Sequence, residues 1–293
     1  MKTDNRQTFG LVLVLTAGVF WGSMGLFVRR LSALGFSAIQ ITAARLSLAG
    51  LCFALLLLCR ERRGFRIRVR DLPLFLALGL LSILFFTLCY FSAMTRMPLS
   101  TAAILLYTSP IWVTLLSALF LHEKLTGRKL LALALAFTGC ALVSGLSGGL
   151  TLSGLLLGLG SGLGYGLYSI FGALALRRYS PFTVTAWTFL IAGAGAWCVT
   201  SPADCLAVLL ACETPWRTAL LLLLMALVTA VVPFLCYTLG LRRVEAGKAA
   251  IFATVEPLVA TLFGVLIFHE PLTASSALGM ALILSAVVIL NRQ

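Results

Sequence analysis

The sequence predicts an all-α integral membrane protein of ten transmembrane helices, arranged as two inverted five-helix repeats over residues 8–150 and 151–291. Three observations predict it. Of 293 residues, 61% are apolar and 11% charged, with a mean hydropathy of +1.08, whereas a soluble domain carries roughly 25% charge. Ten apolar runs, each long enough to cross a bilayer, fill the chain. A stretch in the first half recurs in the second. This composition excludes a soluble globular enzyme, and it excludes a disordered chain, because so apolar a polypeptide cannot stay solvated. The 26 Gly and 9 Pro show no collagen-like period.

The runs follow in order. The first, 8–28, comes after Lys2 and Arg6 but outlasts a signal-peptide core and has no small-residue cleavage site, so it reads as a retained span. The second, 36–59, carries Arg45, and six Arg separate it from the third, 72–95. The fourth, 98–121, holds Pro110 at its centre. The fifth, 130–150, ends in SGLSGGLTLSG at 144–154, a Gly- and Ser-rich seam between halves. The sixth, 153–176, repeats glycine every four residues at Gly154, Gly158, Gly162 and Gly166. The seventh is 182–203, after which a longer connection holds Cys205 and Cys212, a candidate bridge in an oxidising compartment. The other cysteines, scattered singly, read as small core residues. The eighth, 218–241, is interrupted by Pro233, the ninth, 249–268, contains Glu256–Pro257, and the tenth is 271–291.

The net charge of +13 would suggest nucleic acid in a soluble protein, but its distribution points to the membrane. With the N-terminus inside, one side collects Lys2, Arg6, the six Arg of 60–70, Lys124, Arg128, Lys129, Arg177, Arg178, Arg242, Arg243, Lys248 and Arg292, which is 17 of 22. The other side holds Arg29, Arg30, Arg96 and Arg217. The positive-inside bias therefore places both termini in the cytoplasm. No stretch interleaves basic and aromatic residues as a base-stacking groove requires, so no nucleic-acid partner is expected.

A shift of 147 lays 97–126 onto 244–273 without a gap, with eleven identities that include Pro110/Pro257, Thr114/Thr261, His122/His269 and Glu123/Glu270. The same shift pairs Cys89–Tyr90 with Cys236–Tyr237, and a shift of 144 pairs Gly10, Gly18 and Gly22 with Gly154, Gly162 and Gly166. Five helices per repeat is an odd number. The second half must therefore enter from the opposite face, the inverted architecture in which secondary transporters place a substrate site near the midplane.

On the FWGS start at 20–23, the Arg of TAARLSLAG at 42–50, the YTSPIW and TVEPLV pair and the two HExLT ends, the chain resembles the drug/metabolite transporter superfamily, specifically its ten-helix EamA-type members. The resemblance covers almost the whole chain. It implies transport of small organic metabolites, often amino-acid export, through a cavity between the halves in a cell membrane of the bacterial inner-membrane type.

Within this frame a substrate site is expected from Trp21, Arg45, Tyr90, Tyr107, Ser109, Tyr165, Tyr168, Thr254 and Glu256. Glu256 lies near the middle of its span, where a bare carboxylate must be protonated, paired or hydrated. It is a candidate to receive a substrate amine or a proton, or to pair with Arg45 or Lys248; the alternative is a structural hydrogen bond. Its repeat partner Ser109 cannot ionise, so the chemistry is asymmetric. Arg45 is too deep to be free of cost, and it either binds a carboxylate or anchors helix ends. Trp21 and Tyr165 are repeat-equivalent and expected as aromatic walls facing one another across a pocket. Trp112 reads as packing, and Tyr90 and Tyr237 as gates.

Gly18, Gly22, Gly158, Gly162 and Gly166 are expected to pack helices closely, and sliding along them would serve alternating access. Pro110, Pro233 and Pro257 should kink or loosen their helices, and freed carbonyls are tolerated at such depth only when buried or facing a cavity. The two His fall on opposite sides and read as helix ends, so no metal site is expected, and no P-loop is present for a nucleotide. No cofactor is expected. The partners expected are a small-molecule substrate, with protons as a candidate coupling ion, and lipid; the chain would act as a monomer or homodimer. A membrane enzyme or a scaffold without transport activity is the alternative, and the one Glu and one Arg within the spans supply no catalytic cluster.

Overall fold

The computed structural model describes residues 5–94, 96, 99–145, 151–269 and 272–291. Lys2, Arg292, Glu270 and residues 146–150 of the seam lie outside them. The first span is two helices, α1 (Asn5–Gly22) and α2 (Met24–Ala33), separated at Ser23, whose hydroxyl bonds back to the Phe20 carbonyl at 2.7 Å. The second is α3 (Ala38–Arg60), started by a capping box in which Ser37 and Gln40 satisfy each other's backbone N–H.

The third span comprises α4 (Leu72–Leu76), a π-helical stretch (Ala77–Leu84) and α5 (Phe85–Met94). The fourth is α6 (Leu99–Leu106) and α7 (Ser109–Phe120), and the fifth is α8 (Gly127–Ser144), capped by Thr126. The sixth is α9 (Leu152–Ala175), capped by Thr151, and the seventh is α10 (Pro181–Ala196), capped by Ser180. A short helix α11 (Pro202–Ala211) precedes the eighth span, which is α12 (Pro215–Ala226), a π-helical stretch (Leu227–Val231) and α13 (Val232–Leu241). The ninth is α14 (Ala246–Ala253) and α15 (Val255–Phe268), and the tenth is α16 (Ala274–Asn291). Eight of these runs are long and apolar enough to cross a membrane alone, and α10 and α16 complete the ten.

The irregularities obey the repeat. Proline offers no N–H and its ring obstructs the preceding turn, so Pro110 and Pro257 part their spans at 107–108 and at 254, positions 147 apart. Pro233 does not break its span; the turn ahead of it widens into the π stretch 227–231. A matching π stretch occupies the third span without proline. There Ser82 returns its hydroxyl to the Leu78 carbonyl and Thr87 to that of Ile83 at 2.8 Å, bonds that bend helices. Both spans that meet the central cavity from these positions are thereby re-aimed.

Packing is likewise paired. α3 lies along α10, α8 along α16, α1 along α13 and α5 along α9. Helices that carry no hydrophobic drive toward each other in lipid associate through small residues. A Cβ on Gly139 would come within 2.7 Å of the Gly279 carbonyl, and one on Gly279 within 2.6 Å of that of Gly139. Trp197 Nε1 donates to Ser47 Oγ at 2.8 Å across the α3/α10 pair.

Gly10 abuts Arg243 and Val244, which sets the start of α1 beside the end of α13. That face also holds the 61–71 connection, pinned to the second half. Asp71 accepts from Arg178 Nη1 and from the Tyr179 hydroxyl, each at 2.7 Å, while Ser180 donates to Glu61 at 2.6 Å. Burial, then the neighbouring Asp71 carboxylate, raises the Tyr179 phenol above its usual range, so it remains a donor.

Two expectations are corrected. The seventh span ends at Ala196 rather than 203, because Ser201 and Pro202 start α11, whose Cys205 and Val208 pack with Leu31 and Phe36 on the opposite face. Cys205 and Cys212 are free thiols. Cys205 lies within α11 and Cys212 caps it. Seven helical residues span about 10 Å, beyond what a disulfide bridges.

Candidate functional site

The helix breaks converge on a cavity of about 300 Å³. Trp21, Gly22, Met24 and Val28 reach it from the broken first span, Arg45 from α3, Phe86, Thr87, Tyr90 and Phe91 from α5, and Leu106 and Tyr107 from the break after α6. The second half contributes Tyr165 from α9, Phe234 from α13 and Glu256 and Ala260 from α15. Six of the nine residues expected from sequence thus meet at one place.

Its two charges are not paired with each other. Arg45 is 4% exposed; its Nη1 donates to the Met24 thioether at 3.3 Å, and its Nε, buried, has no partner. A thioether is a weak acceptor for a guanidinium. Glu256 accepts one long bond, 3.5 Å, from the Tyr165 hydroxyl. A buried cation and anion lining one cavity without direct contact leave Coulombic attraction unsatisfied and available to a ligand that carries both charges.

Beneath the charges lies an aromatic floor. Trp21 touches Phe234 at 5.0 Å, Tyr237 at 5.4 Å and Tyr165 at 6.0 Å between ring centroids, the first and last edge to face. Trp21 and Tyr165 therefore do not face one another across an open pocket. They join in one layer that closes the cavity toward the face where α1 begins. Tyr168, Ser109 and Tyr237 sit under this layer around a void of about 20 Å³, room for a single water. Tyr168 bonds Thr238 at 2.7 Å and Tyr237 bonds Ser169 at 2.8 Å, so their hydroxyls are already engaged. Thr254, buried, donates to the Ile251 carbonyl at 2.6 Å at the break and lines neither space.

The glycines seat the breaks. A Cβ on Gly18 would meet the Ala253 carbonyl at 3.2 Å and one on Gly22 the Glu256 carbonyl at 2.8 Å. In the other half Gly162 meets the Leu105 carbonyl at 2.7 Å, Gly166 that of Ser109 at 3.2 Å, and Gly158 the side chain of Leu105 at 2.3 Å. Each glycine row of one half lies against a proline break, so backbone covers backbone where no side chain fits.

Among the described residues, the cavity is closed toward one face only. α14 packs on α7 toward the face where α1 begins, whereas the symmetry-related segments α6 and α15 show no comparable packing among the described residues. The sequence reading missed Met24, Phe86, Phe234 and Thr87. Phe234 and Thr87 are 147 apart, so once one is placed the repeat finds the other. The HExLT ends are helix terminations: His122 and His269 adopt left-handed backbone with φ of 58° and 53°, a conformation His tolerates better than most side chains.

Comparison with known proteins agrees with this architecture. The EamA-like transporter family matches residues 8–145 and 152–292. An uncharacterized transporter of Archaeoglobus fulgidus is 30% identical over 298 residues, 97% of each chain. The uncharacterized transporter YojE of Bacillus subtilis is 28% identical and covers 96% of this chain and 92% of its own. The pseudopaline exporter CntI of Pseudomonas aeruginosa is 32% identical over 116 residues, 40% of this chain and 39% of its own. A solved crystal structure superposes with a TM-score of 0.79 at 19% identity, covering 97% of this chain and 96% of that one.

Proposed function

The chain belongs to the EamA-like transporter family and is a multi-pass membrane transporter, and from that premise we propose that it carries small zwitterionic metabolites, amino acids and their amine relatives, by alternating access. One observation carries this reading: Arg45 and Glu256 line the same cavity, and neither holds a countercharge there. A substrate ammonium docks on the Glu256 carboxylate, over the faces of Trp21 and Tyr165, which attract cations. Its carboxylate takes the Arg45 guanidinium from the Met24 sulfur, exchanging a weak acceptor for a bidentate one. Tyr90 and Tyr107 frame the remaining wall. With a protonated Glu256 the ammonium loses its partner, which makes protons a competing cargo.

Pro110 and Pro257 serve as hinges, and the glycine rows are the surfaces against which they turn. The bias of basic residues supports cytoplasmic termini, and in that orientation the cavity opens outward. Export is supported by the similarity to the pseudopaline exporter CntI of Pseudomonas aeruginosa.

The test is counterflow into proteoliposomes with paired substrates. Removing one member of a desolvated charge pair costs about 2–5 kcal/mol, some thirtyfold or more in affinity. Glu256→Gln should weaken uptake of amines and amino acids alike by about thirtyfold or more and remove the pH dependence of what remains. Arg45→Gln should spare amines lacking a carboxylate and lose amino acids. Transport of both classes unchanged in both variants overturns the reading.

A further inference from the structure

Away from the cavity, and besides the Asp71–Arg178 pair, the two halves meet through an ionic cluster built around a buried lysine. Lys129, on the first turn of α8, is 2% exposed. Its ammonium donates to Glu123 at 2.7 Å and to Glu245 at 3.4 Å, the second across 116 residues of chain. Glu123 is itself committed across the halves, accepting from the backbone N–H of Ala246 at 2.6 Å and of Gly247 at 3.2 Å where α14 begins. The cluster thus ties the end of the fourth span to the start of the ninth, the very segments whose contact closes this face. A vestibule of about 520 Å³, lined in part by His122, Lys124 and Lys248, leads up to it from outside.

Gly247 is what admits the lysine. A Cβ there would lie 2.5 Å from Lys129 Cε and 2.7 Å from its Nζ, so the ammonium must shift to admit even a methyl group, and a side chain the size of leucine displaces it from the cluster. The repeat does not reproduce the arrangement at the other face. Under the shift of 147, Lys129 falls on Ser276 and Glu245 on Pro98, neither of which can ionise. One face therefore has an ionic clasp between the fourth and ninth spans, and the matching positions at the other lack its cation.

We propose that Lys129, clamped between Glu123 and Glu245, is the gating residue that holds the transport path shut at the face where α1 begins. The proposal rests on the transporter reading for its path, but not on the identity of the substrate. Removing the ammonium leaves the nearly buried Glu123 carboxylate with its two backbone N–H donors but no countercharge, and fuller hydration through the vestibule requires α14 to separate from α7. The equilibrium then shifts toward the state open on this face and closed on the other.

The test reads accessibility, so it can fail while transport stands, and flux measured in parallel can fail while the gate stands. In a chain whose eight cysteines are serine, one cysteine is returned at Ala250, under the clasp, or at Val28, which lines the open cavity. Each is labelled with a hydrophilic maleimide. The parent should react at Val28→Cys and be protected at Ala250→Cys. Lys129→Met should speed labelling at Ala250→Cys about tenfold, within the span of such couplings, and slow it at Val28→Cys. Lys129→Arg should keep the parental pattern, and Gly247→Leu should reproduce Lys129→Met. Rates that stay parental in both Lys129→Met and Gly247→Leu, or that rise together at both cysteines as a loosened fold would make them, overturn the proposal.

Discussion

Gly162→Ala tests whether the fourth span's break is held by backbone contact. The added Cβ would stand 2.4 Å from Thr108 Oγ1 and 2.7 Å from the Leu105 carbonyl, where ordinary contact begins at 3.4 Å. Thr108 cannot turn aside freely, since its hydroxyl donates to that same carbonyl at 2.6 Å. The carbonyl belongs to backbone already bent by Pro110, so α9 must retreat. Overpacking of this kind costs about 1–3 kcal/mol, offset by roughly 1 kcal/mol from alanine's better helix propensity. Gly172 lies on the same helix with its nearest neighbour, Leu241 Cδ1, at 3.5 Å, so Gly172→Ala keeps the propensity gain without the clash. The propensity contribution cancels between the two variants, which leaves Gly162→Ala less stable than Gly172→Ala by about 1–3 kcal/mol. Unfolding midpoints in one detergent check this directly. Equal midpoints, or a more stable Gly162→Ala, would refute the claim that glycine is required there by the approach of the break.

Two further outcomes follow from the site. Trp21→Ala and Tyr165→Ala each remove part of the aromatic floor and should weaken substrate affinity by tenfold or more, whereas Trp112→Ala, whose indole N–H has no partner, should change stability but not affinity; equal losses of affinity in all three would count against the floor. At the end of α7, His122 holds φ of 58°. His122→Gly should be tolerated and His122→Val should cost about 1–2 kcal/mol, read as a difference in thermal midpoint between the two.

The parts of the site legible in the sequence are those for which the bilayer makes chemistry expensive. Arg45 and Glu256 stand out because lipid penalises ionised groups, and Pro110 and Pro257 stand out because proline breaks a hydrogen-bond ladder wherever it falls. Met24, Phe86 and Phe234 carry no such mark, since an apolar side chain in a span looks the same whether it meets lipid, a neighbour or a cavity. The repeat makes Trp21 and Tyr165 equivalent but does not give their edge-to-face contact at 6.0 Å, because equivalence under a two-fold axis says nothing about distance from that axis. The seventh span was read too long because Trp197, Cys198 and Val199 continue its apolar run past the turn that Pro202 requires. Lys129 was the deepest miss: among basic residues clustered on one side, nothing local separates a lysine that anchors to lipid from one buried by a glycine 118 positions later.

An inverted repeat alone would give two states of equal energy, one open to each face, because each half could play the other's part. What breaks the tie must be residues that the repeat does not share. Glu256 against Ser109 makes the cavity's negative charge a property of the second half, and Tyr165 against Trp21 gives that carboxylate a hydroxyl in one half only. Under the proposed function these differences would select the cargo, and because they line the cavity itself rather than either face, they are expected to bias neither face strongly. Lys129 against Ser276 lies at one face, and under the proposed gating its contacts to Glu123 and Glu245 would be made only in the state closed there. A ligand moves such an equilibrium only by the difference in its affinity for the two states. On the proposed function and gate, a substrate bound between Arg45 and Glu256 would have to draw the halves together from the open side by more than the clasp resists, which would make the strength of the Glu123–Lys129–Glu245 contact the quantity that sets how much binding energy goes into turning over rather than into holding.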